Sequence, residues 1–179
     1  MIVLGIILVL IVLVILFTLQ LISKHAASDK LLVFYKDKRT QAKLVSKTDE
    51  KIEFSIDVPY ENKSGDEGIF LDAFVRIYLP DEQYNGALLR GRVNHPQAPR
   101  TDDYFEARLV PPGEKGHLTV TFEVTPRNGK KTAEAALQDM PDVEFALYVE
   151  RRGRMELFHN KENILLTKEE LQKLLKQKL

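Results

Sequence analysis

The residues best suited to chemistry lie in the segment PRTDDYFEARLVPPGEKG, residues 99–116, which contains the adjacent carboxylates Asp102 and Asp103. A Ca²⁺ ion needs several carboxylate and carbonyl oxygens that converge from loops. Asp102 and Asp103 would meet this need if an acidic pair at 66–67 or 81–82 lay at the same end of the domain. The sequence contains no D-x-D-x-D-G calcium loop, so metal binding is the alternative hypothesis.

The same segment also alternates in the manner of a β-strand, with Tyr104, Glu106 and Arg108 on one face. The opposite face would hold Phe105, Ala107 and Leu109. Opposite charges at alternate positions of a strand commonly pair in solvent, and such pairs contribute about 0–1 kcal/mol. We therefore interpret Glu106 and Arg108 as a surface pair and Asp102 and Asp103 as turn residues before the strand. Tyr104, Glu106 and Arg108 form a candidate binding surface.

Other catalytic arrangements are missing from the sequence. There is no cysteine, and all five serines precede residue 65 without a G-x-S-x-G elbow. The four histidines occur singly, without zinc-ligand spacing, and His95 and His117 fall in predicted loops where a solvated imidazole is expected. No glycine-rich phosphate loop is present. The sequence predicts a protein that is not an enzyme and holds no cofactor.

The elements that would position these residues are mostly strands. Residues 51–58, 117–125 and 143–150 alternate strictly between apolar and polar side chains, which predicts strands with one buried face. Residues 69–79 are apolar on both faces except at Asp72 and Arg76, which predicts a central strand. With shorter runs the total is seven to nine strands. We expect an antiparallel immunoglobulin-like β-sandwich over residues 48–166, without the disulfide and core tryptophan of antibody domains.

Two helices are predicted within and after the sandwich. Residues 132–140 fit a short connecting helix, and residues 167–179 fit an amphipathic C-terminal helix. Thr167 and Glu170 have the spacing of a capping box. A stripe on the C-terminal helix consists of Leu171, Leu174, Leu175 and Leu179. Such a stripe packs on its own domain by default. Leu171, Leu174 and Leu175 are also candidates for binding a partner or the membrane surface.

The N-terminal segment, residues 1–23, contains no charged side chain and is about 34 Å long as a helix, enough to cross a bilayer. It lacks the basic start and short apolar core of a cleaved signal peptide, so we expect a retained single-pass anchor in the cell membrane. Residues 24–47 form a basic juxtamembrane segment that includes the first strands and carries seven Lys or Arg side chains. The positive-inside rule places the following domain in the cytoplasm, with an extracytoplasmic domain as the alternative.

A partial resemblance supports this architecture. Residues 54–65, FSIDVPYENKSG, and residues 72–80, DAFVRIYLP, resemble immunoglobulin-like domains of uncharacterised bacterial membrane-anchored proteins. The resemblance implies a fold but assigns no site. Asn62 begins the glycosylation sequon NKS, which we interpret as turn chemistry.

The charge distribution bears on partners. Residues 48–167 carry 15 basic and 22 acidic side chains, a net charge of −7, which disfavours nucleic acid. The main hypothesis is a membrane-tethered, non-enzymatic binding or scaffolding module for an unknown protein partner. The alternative is a Ca²⁺-dependent carbohydrate-binding or hydrolytic envelope domain that uses Asp102 and Asp103.

Overall fold

A computed structural model of the chain describes residues 2–29, 32–100, 102–153 and 156–177. The first element is helix α1, Ile2–Asp29, of 28 residues. Its stretch Gly5–Lys24 is long and apolar enough to cross a membrane, and none of that stretch is buried against the rest of the protein. An uncharged run of leucine, isoleucine and valine pairs all its backbone groups internally when it is helical, which is the requirement of a lipid environment.

The remainder of the described chain is mostly β-structure in two antiparallel sheets. Sheet A has the strand order β1-β3-β7-β5, and β2 also pairs with β3. Sheet B has the order β6-β4-β8-β9. The strands are β1 Leu32–Phe34, β2 Lys43–Lys47, β3 Ile52–Asn62, β4 Gly68–Tyr78, β5 Ala87–Asn94, β6 Arg108–Val110, β7 Lys115–Pro126, β8 Val143–Arg152 and β9 Leu157–Leu166.

The alternation in the sequence explains the faces of sheet A. Strands β3 and β7 pair over ten residues, and their apolar members are fully buried. Phe54 stacks on Phe122 at 5.0 Å between ring centroids. Phe122 also contacts Phe145 of sheet B edge-on at 4.9 Å, and Tyr60 of sheet A contacts Phe70 of sheet B at 4.9 Å. These contacts join the two sheets face to face across one hydrophobic core.

Two short helices cover the core at one side. Helix α2, Ala133–Asp139, is capped by the Thr132 hydroxyl, which accepts from the Ala135 amide. Helix α3, Lys168–Leu174, is capped in the same way by Thr167, which accepts from the Glu170 amide. Hydroxyl caps of this kind satisfy amides that have no partner within the helix. Helix α2 and the Thr167 cap agree with the sequence prediction, whereas α3 ends at Leu174 and is shorter than the helix predicted over residues 167–179.

The Glu170 side chain does not complete the predicted capping box. Its carboxylate instead accepts two hydrogen bonds from the Arg39 guanidinium, at 2.8 and 2.7 Å, and one from the Ala42 amide at 2.7 Å. These bonds hold the segment that follows α1 against the C-terminal helix. They also hold the pKa of Glu170 below its ordinary value despite burial, since Arg39 and the Ala42 amide favour the charged carboxylate.

The prediction of a strand over residues 104–109 is wrong in the length of the strand and in which side chains are buried. Only Arg108–Val110 pairs with β4, at Gly68–Phe70. The pairing stops where the register of β4 shifts between Phe70 and Asp72. Asp103 has φ 60°, a left-handed conformation that a strand cannot adopt. As a result Phe105 is buried while Ala107 and Leu109 are exposed.

Two other strand predictions differ in detail. Strand β4 is not buried on both faces, because no element among the described residues covers the outer side of sheet B and Phe74 is 52% exposed. The sequence ERRGRM, residues 150–155, predicts a hairpin with its turn at Arg152-Gly153, but β8 continues to Arg152 and β9 begins at Leu157. The predicted turn residue Gly153 donates its amide to the Glu156 carbonyl, while residues 154 and 155 lie outside the described residues.

Candidate functional site

The side chains on the solvent side of sheet B form the most distinctive surface of the described chain, which we call the outer face. Register places these side chains in rows that cross neighbouring strands. Side chains that are opposite each other in neighbouring strands are in contact distance, so each row is a continuous strip. The rows are Leu109–Ile69–Arg152–Leu157, Asp72–Glu150–His159, Phe74–Tyr148–Lys161, Arg76–Ala146–Asn163 and Tyr78–Glu144–Leu165.

An aromatic cluster occupies the middle of the outer face. The rings of Phe74 and Tyr148 are parallel to within 8° at a centroid distance of 5.0 Å. The hydroxyl oxygens of Tyr78 and Tyr148 are 3.3 Å apart. The Lys161 ammonium lies 5.6 Å from the Tyr78 centroid and 5.8 Å from the Tyr148 centroid. The Tyr78 hydrogen bond and then the Lys161 cation hold the pKa of Tyr148 below its ordinary value.

Exposed apolar side chains are concentrated on and beside this face. Outside α1, the described residues include seven large hydrophobic side chains that are exposed. Four are on the outer face, and a fifth, Tyr104, lies beside it and is 61% exposed. The set is Val45, Phe74, Leu88, Tyr104, Leu109, Leu157 and Leu165. This concentration on one side of the protein distinguishes the outer face from scattered surface apolar residues.

The solvent side of sheet A differs in character. It carries polar and charged side chains that bond to each other. Glu53 accepts from Ser46 at 3.0 Å and Lys51 at 3.2 Å. Asp57 accepts from the Thr119 hydroxyl at 2.8 Å. The carboxylates of Glu53 and Asp57 therefore already have partners within the chain.

A recess of about 460 Å³ lies at the edge of the outer face, between β4 and the loop that precedes β6. Residues 71–74 form one wall and residues 103–105 the other. Phe74 and Tyr104 contribute exposed aromatic rings, and Asp72 and Asp103 contribute exposed carboxylates. Neither carboxylate has an ion-pair partner among the described residues. The structure thus brings two of the predicted candidates, Asp103 and Tyr104, to one recess with Phe74.

Arg100 organises the loop that carries Tyr104. Its guanidinium donates to the Asp102 carboxylate at 2.9 Å and to the Glu106 carboxylate at 2.8 Å. It also lies 4.9 Å from the Tyr104 ring centroid. The Arg100 hydrogen bonds lower the pKa of Asp102 to about 2. Glu106 therefore pairs with Arg100 and not, as predicted, with Arg108.

The acidic loops do not converge as a calcium site requires. Within the described ranges, no group of three or more histidine, aspartate or glutamate side chains could hold a metal ion. The predicted meeting of Asp102 and Asp103 with residues 66–67 or 81–82 is thus not found. Asp102 is instead bound to Arg100, and Asp103 lines the recess.

The third predicted surface residue, Arg108, points into a buried polar cluster. Its guanidinium donates to the Tyr60 hydroxyl at 3.0 Å and contacts the His95 ring. It forms an ion pair with Glu114 at 3.0 Å, and the Tyr60 hydroxyl donates to Glu114 at 2.7 Å. Gly116 makes this possible, because a Cβ atom there would lie 2.6 Å from the Tyr60 hydroxyl. These hydrogen bonds and the ion pair join β3, β6 and the turn that precedes β7.

The prediction of a solvated His95 is wrong, because His95 is only 2% exposed. Its Nε2 atom lies 2.9 Å from the Tyr60 hydroxyl. Burial, and secondarily the Arg108 cation, lowers the pKa of His95 to about 4. The imidazole is therefore neutral at pH 7. No local sequence pattern predicts the burial of His95, because its contacts come from segments distant along the chain.

The leucines of the C-terminal helix and the side chain of Asn62 make their contacts within the domain. Leu171 and Leu174 are fully buried in the domain core, and Leu175 is partly buried, which leaves the first two no surface for a partner. Leu179 lies outside the described residues. The Asn62 side chain is buried, donates to the carbonyls of Asp66, Val110 and Pro111, and accepts from Ser64, which agrees with a turn role.

Comparisons with known proteins find similarity only to solved structures. No family model matches the chain, and no curated protein matches it. Northeast Structural Genomics Consortium target SoR45 is 11% identical, with 78% of this chain and 88% of that chain covered and a TM-score of 0.43. A protein from Archaeoglobus fulgidus is 10% identical, with 76% and 96% covered and a TM-score of 0.42. The GAE domain of yeast GGA1 is 13% identical, with 70% and 87% covered and a TM-score of 0.37. All three TM-scores are below 0.5. The fold is therefore defined by the strand pairing of this chain alone.

We did not predict the aromatic cluster of the outer face from the sequence, although the spacing of residues in β4 indicates it. Phe74 and Tyr78 are four residues apart in β4 and therefore on one face, the same face as the charged Asp72 and Arg76. Charged residues at alternate positions mark that face as exposed, so the aromatics between them are exposed too.

Proposed function

We propose that the protein is a membrane-tethered, non-enzymatic binding module whose protein partner contacts the outer face of sheet B. The observation that carries the proposal is the aromatic cluster of Phe74, Tyr78 and Tyr148 on a solvent-exposed sheet surface. Contiguous exposed apolar patches mark interaction sites, and aromatic side chains are enriched in the cores of interfaces. The polar solvent side of sheet A has no comparable cluster among the described residues.

We further infer that the two-sheet domain is of immunoglobulin type. Such domains place strands A, B, E and D in one sheet and C, F and G in the other. The order β1-β3-β7-β5 corresponds to the first set, and β4-β8-β9 corresponds to the second. The return of β6 to pair with β4 adds an edge strand beside the C position.

The tether is helix α1, and its apolar stretch Gly5–Lys24 supports insertion across a bilayer. The ion pair of Arg39 with Glu170 then attaches the following basic segment to the domain. A connection without a long linker keeps the domain near the bilayer, where the outer face would meet membrane-associated partners.

Radical footprinting of the full chain tests the binding proposal. In native membranes, we expect Phe74 and Tyr148 to be oxidised more slowly than in the purified protein in detergent, because a partner would cover them. Leu88, exposed on the solvent side of sheet A, is the matched control and is expected to react equally in both states. Equal oxidation rates of Phe74 and Tyr148 in both states would contradict the proposal.

We predict that the domain faces the cytoplasm. The seven basic residues after the span are costly to translocate. A fluorescent protein fused after the last residue is expected to mature, and alkaline phosphatase fused there is expected to be inactive. Active phosphatase without fluorescence would reverse the orientation.

A further inference from the structure

We propose that the recess between residues 71–74 and 103–105 takes a lysine or arginine side chain from the protein partner. This proposal rests on the proposed function, because it names the chemistry of the partner segment that meets the outer face. The recess of about 460 Å³ has an exposed aromatic ring on each wall, Phe74 and Tyr104. Aromatic faces attract ammonium and guanidinium groups that lie within about 6 Å of the ring centroid.

Charge complementarity selects a cation over an apolar side chain. Asp72 and Asp103 line the recess, and neither forms an ion pair with another described residue. The nearby carboxylates of Asp102 and Glu106 are both bound to Arg100. Two carboxylates therefore line the recess, and Asp72 is the one remote from Arg90 and Arg92, which line a neighbouring recess together with Asp103. A basic side chain would neutralise them, which steers association and fixes the register of a partner.

Cations already lie beside aromatic rings at two places around this recess. The Arg100 guanidinium is 4.9 Å from the Tyr104 centroid, and Lys161 lies within 6 Å of the Tyr78 and Tyr148 rings. Arg100 also holds the Tyr104 loop in place through its two carboxylate bonds. A loop fixed before binding loses little conformational entropy when a ligand arrives.

The dimensions and position of the recess favour a peptide over a small free cation. The recess adjoins Phe74, which stacks on Tyr148 at the centre of the outer face. A basic side chain in the recess would therefore place its backbone and neighbouring residues over the exposed aromatic cluster. A small ammonium ion would use only the recess and would leave that cluster uncovered.

Fluorine NMR of the full chain in zwitterionic nanodiscs tests the inference. The tyrosines are replaced with 3-fluorotyrosine, and the Tyr104 resonance is identified from the Tyr104→Phe spectrum. Five-residue peptides with one central lysine, arginine or norleucine between glycines are titrated at constant ionic strength. We expect saturable shifts of the Tyr104 resonance with the lysine and arginine peptides, and affinity for the norleucine peptide at least about tenfold weaker.

A charge-matched pair of variants assigns the effect to the recess. Asp72→Asn/Asp103→Asn is expected to weaken lysine-peptide binding at least about tenfold. Asparagine tolerates the positive φ at position 103, so the loop is expected to keep its conformation. Asp81→Asn/Glu82→Gln removes the same charge from the loop after β4 and is expected to bind normally. Equal melting temperatures of the two variants confirm that the fold is retained.

Three outcomes would overturn the inference. They are absence of a shift, equal affinity for the norleucine peptide, and equal loss in both charge variants. Tetramethylammonium chloride is titrated in the same way. If its affinity equals that of the lysine peptide, the recess is a site for a small cation and the inference is overturned. Footprinting protection of Phe74 in membranes, without any response to basic peptides, would overturn the cation assignment and leave the proposed function standing.

Discussion

Replacing Phe122 with alanine is expected to lower the free energy of unfolding by about 3–5 kcal/mol. Phe122 is fully buried, stacks on Phe54 at 5.0 Å and meets the edge of Phe145 from the opposite sheet at 4.9 Å. Its removal would leave a cavity between the two sheets that rigid strands on both sides cannot fill. Urea unfolding of the full chain in detergent, followed by tyrosine fluorescence, measures the change.

Phe74→Ala is the matched control, because it removes the same side chain from the outer face. Phe74 is 52% exposed and contacts Tyr148 by stacking, so we expect a loss of about 1 kcal/mol or less. Equal losses in the two variants would mean that Phe74 is part of the core. Its exposure would then no longer support a binding role.

Acid is expected to destabilise the domain through His95. Burial lowers its pKa from an ordinary 6.5 to about 4 in the folded protein. Between these values the unfolded chain binds a proton that the folded protein does not, so stability decreases as the pH falls from about 6.5 to about 4. A pKa difference of this size changes the free energy of unfolding by about 3 kcal/mol. The stabilisation is fully present above pH 6.5.

The pH dependence of urea unfolding measures this contribution. His95→Gln is expected to flatten the profile between pH 4.5 and 6.5, whatever its stability at neutral pH. Glu53 and Glu170 also have lowered pKa values, but their contributions are lost below about pH 4.5, outside this interval. His159→Gln alters a histidine that is exposed on sheet B and serves as the control. An unchanged slope in His95→Gln would show that His95 is not buried in its neutral form.

The strands that a local pattern specifies could be predicted from the sequence. The alternation of residues 51–58 and 117–125 predicted the buried faces of β3 and β7, because the period of two determines which side chains share a face. The cap of α3 could also be predicted, since Thr167 acts on an amide three residues away. Both signals lie within a few residues of the structure that they specify.

The features that the sequence did not predict depend on contacts between distant segments. His95 is buried because Tyr60, Arg108 and Glu114 surround it, and these residues belong to other parts of the chain. The segment around Tyr104 has the alternation of a strand, but its partner strand pairs only as far as Phe70. The exposure of one face of a sheet likewise depends on whether another layer covers it.

Site-specific photocross-linking in living cells tests the binding surface most directly. Benzoylphenylalanine is introduced into the full chain at Phe74 or, as the control, at Leu88 on the solvent side of sheet A. We expect one reproducible cross-linked adduct of discrete mass from position 74, which is lost when Tyr148 is also changed to serine, and no adduct from position 88. Adducts from position 88 alone, or equal adducts from both positions, would contradict the assignment of the outer face as the binding surface.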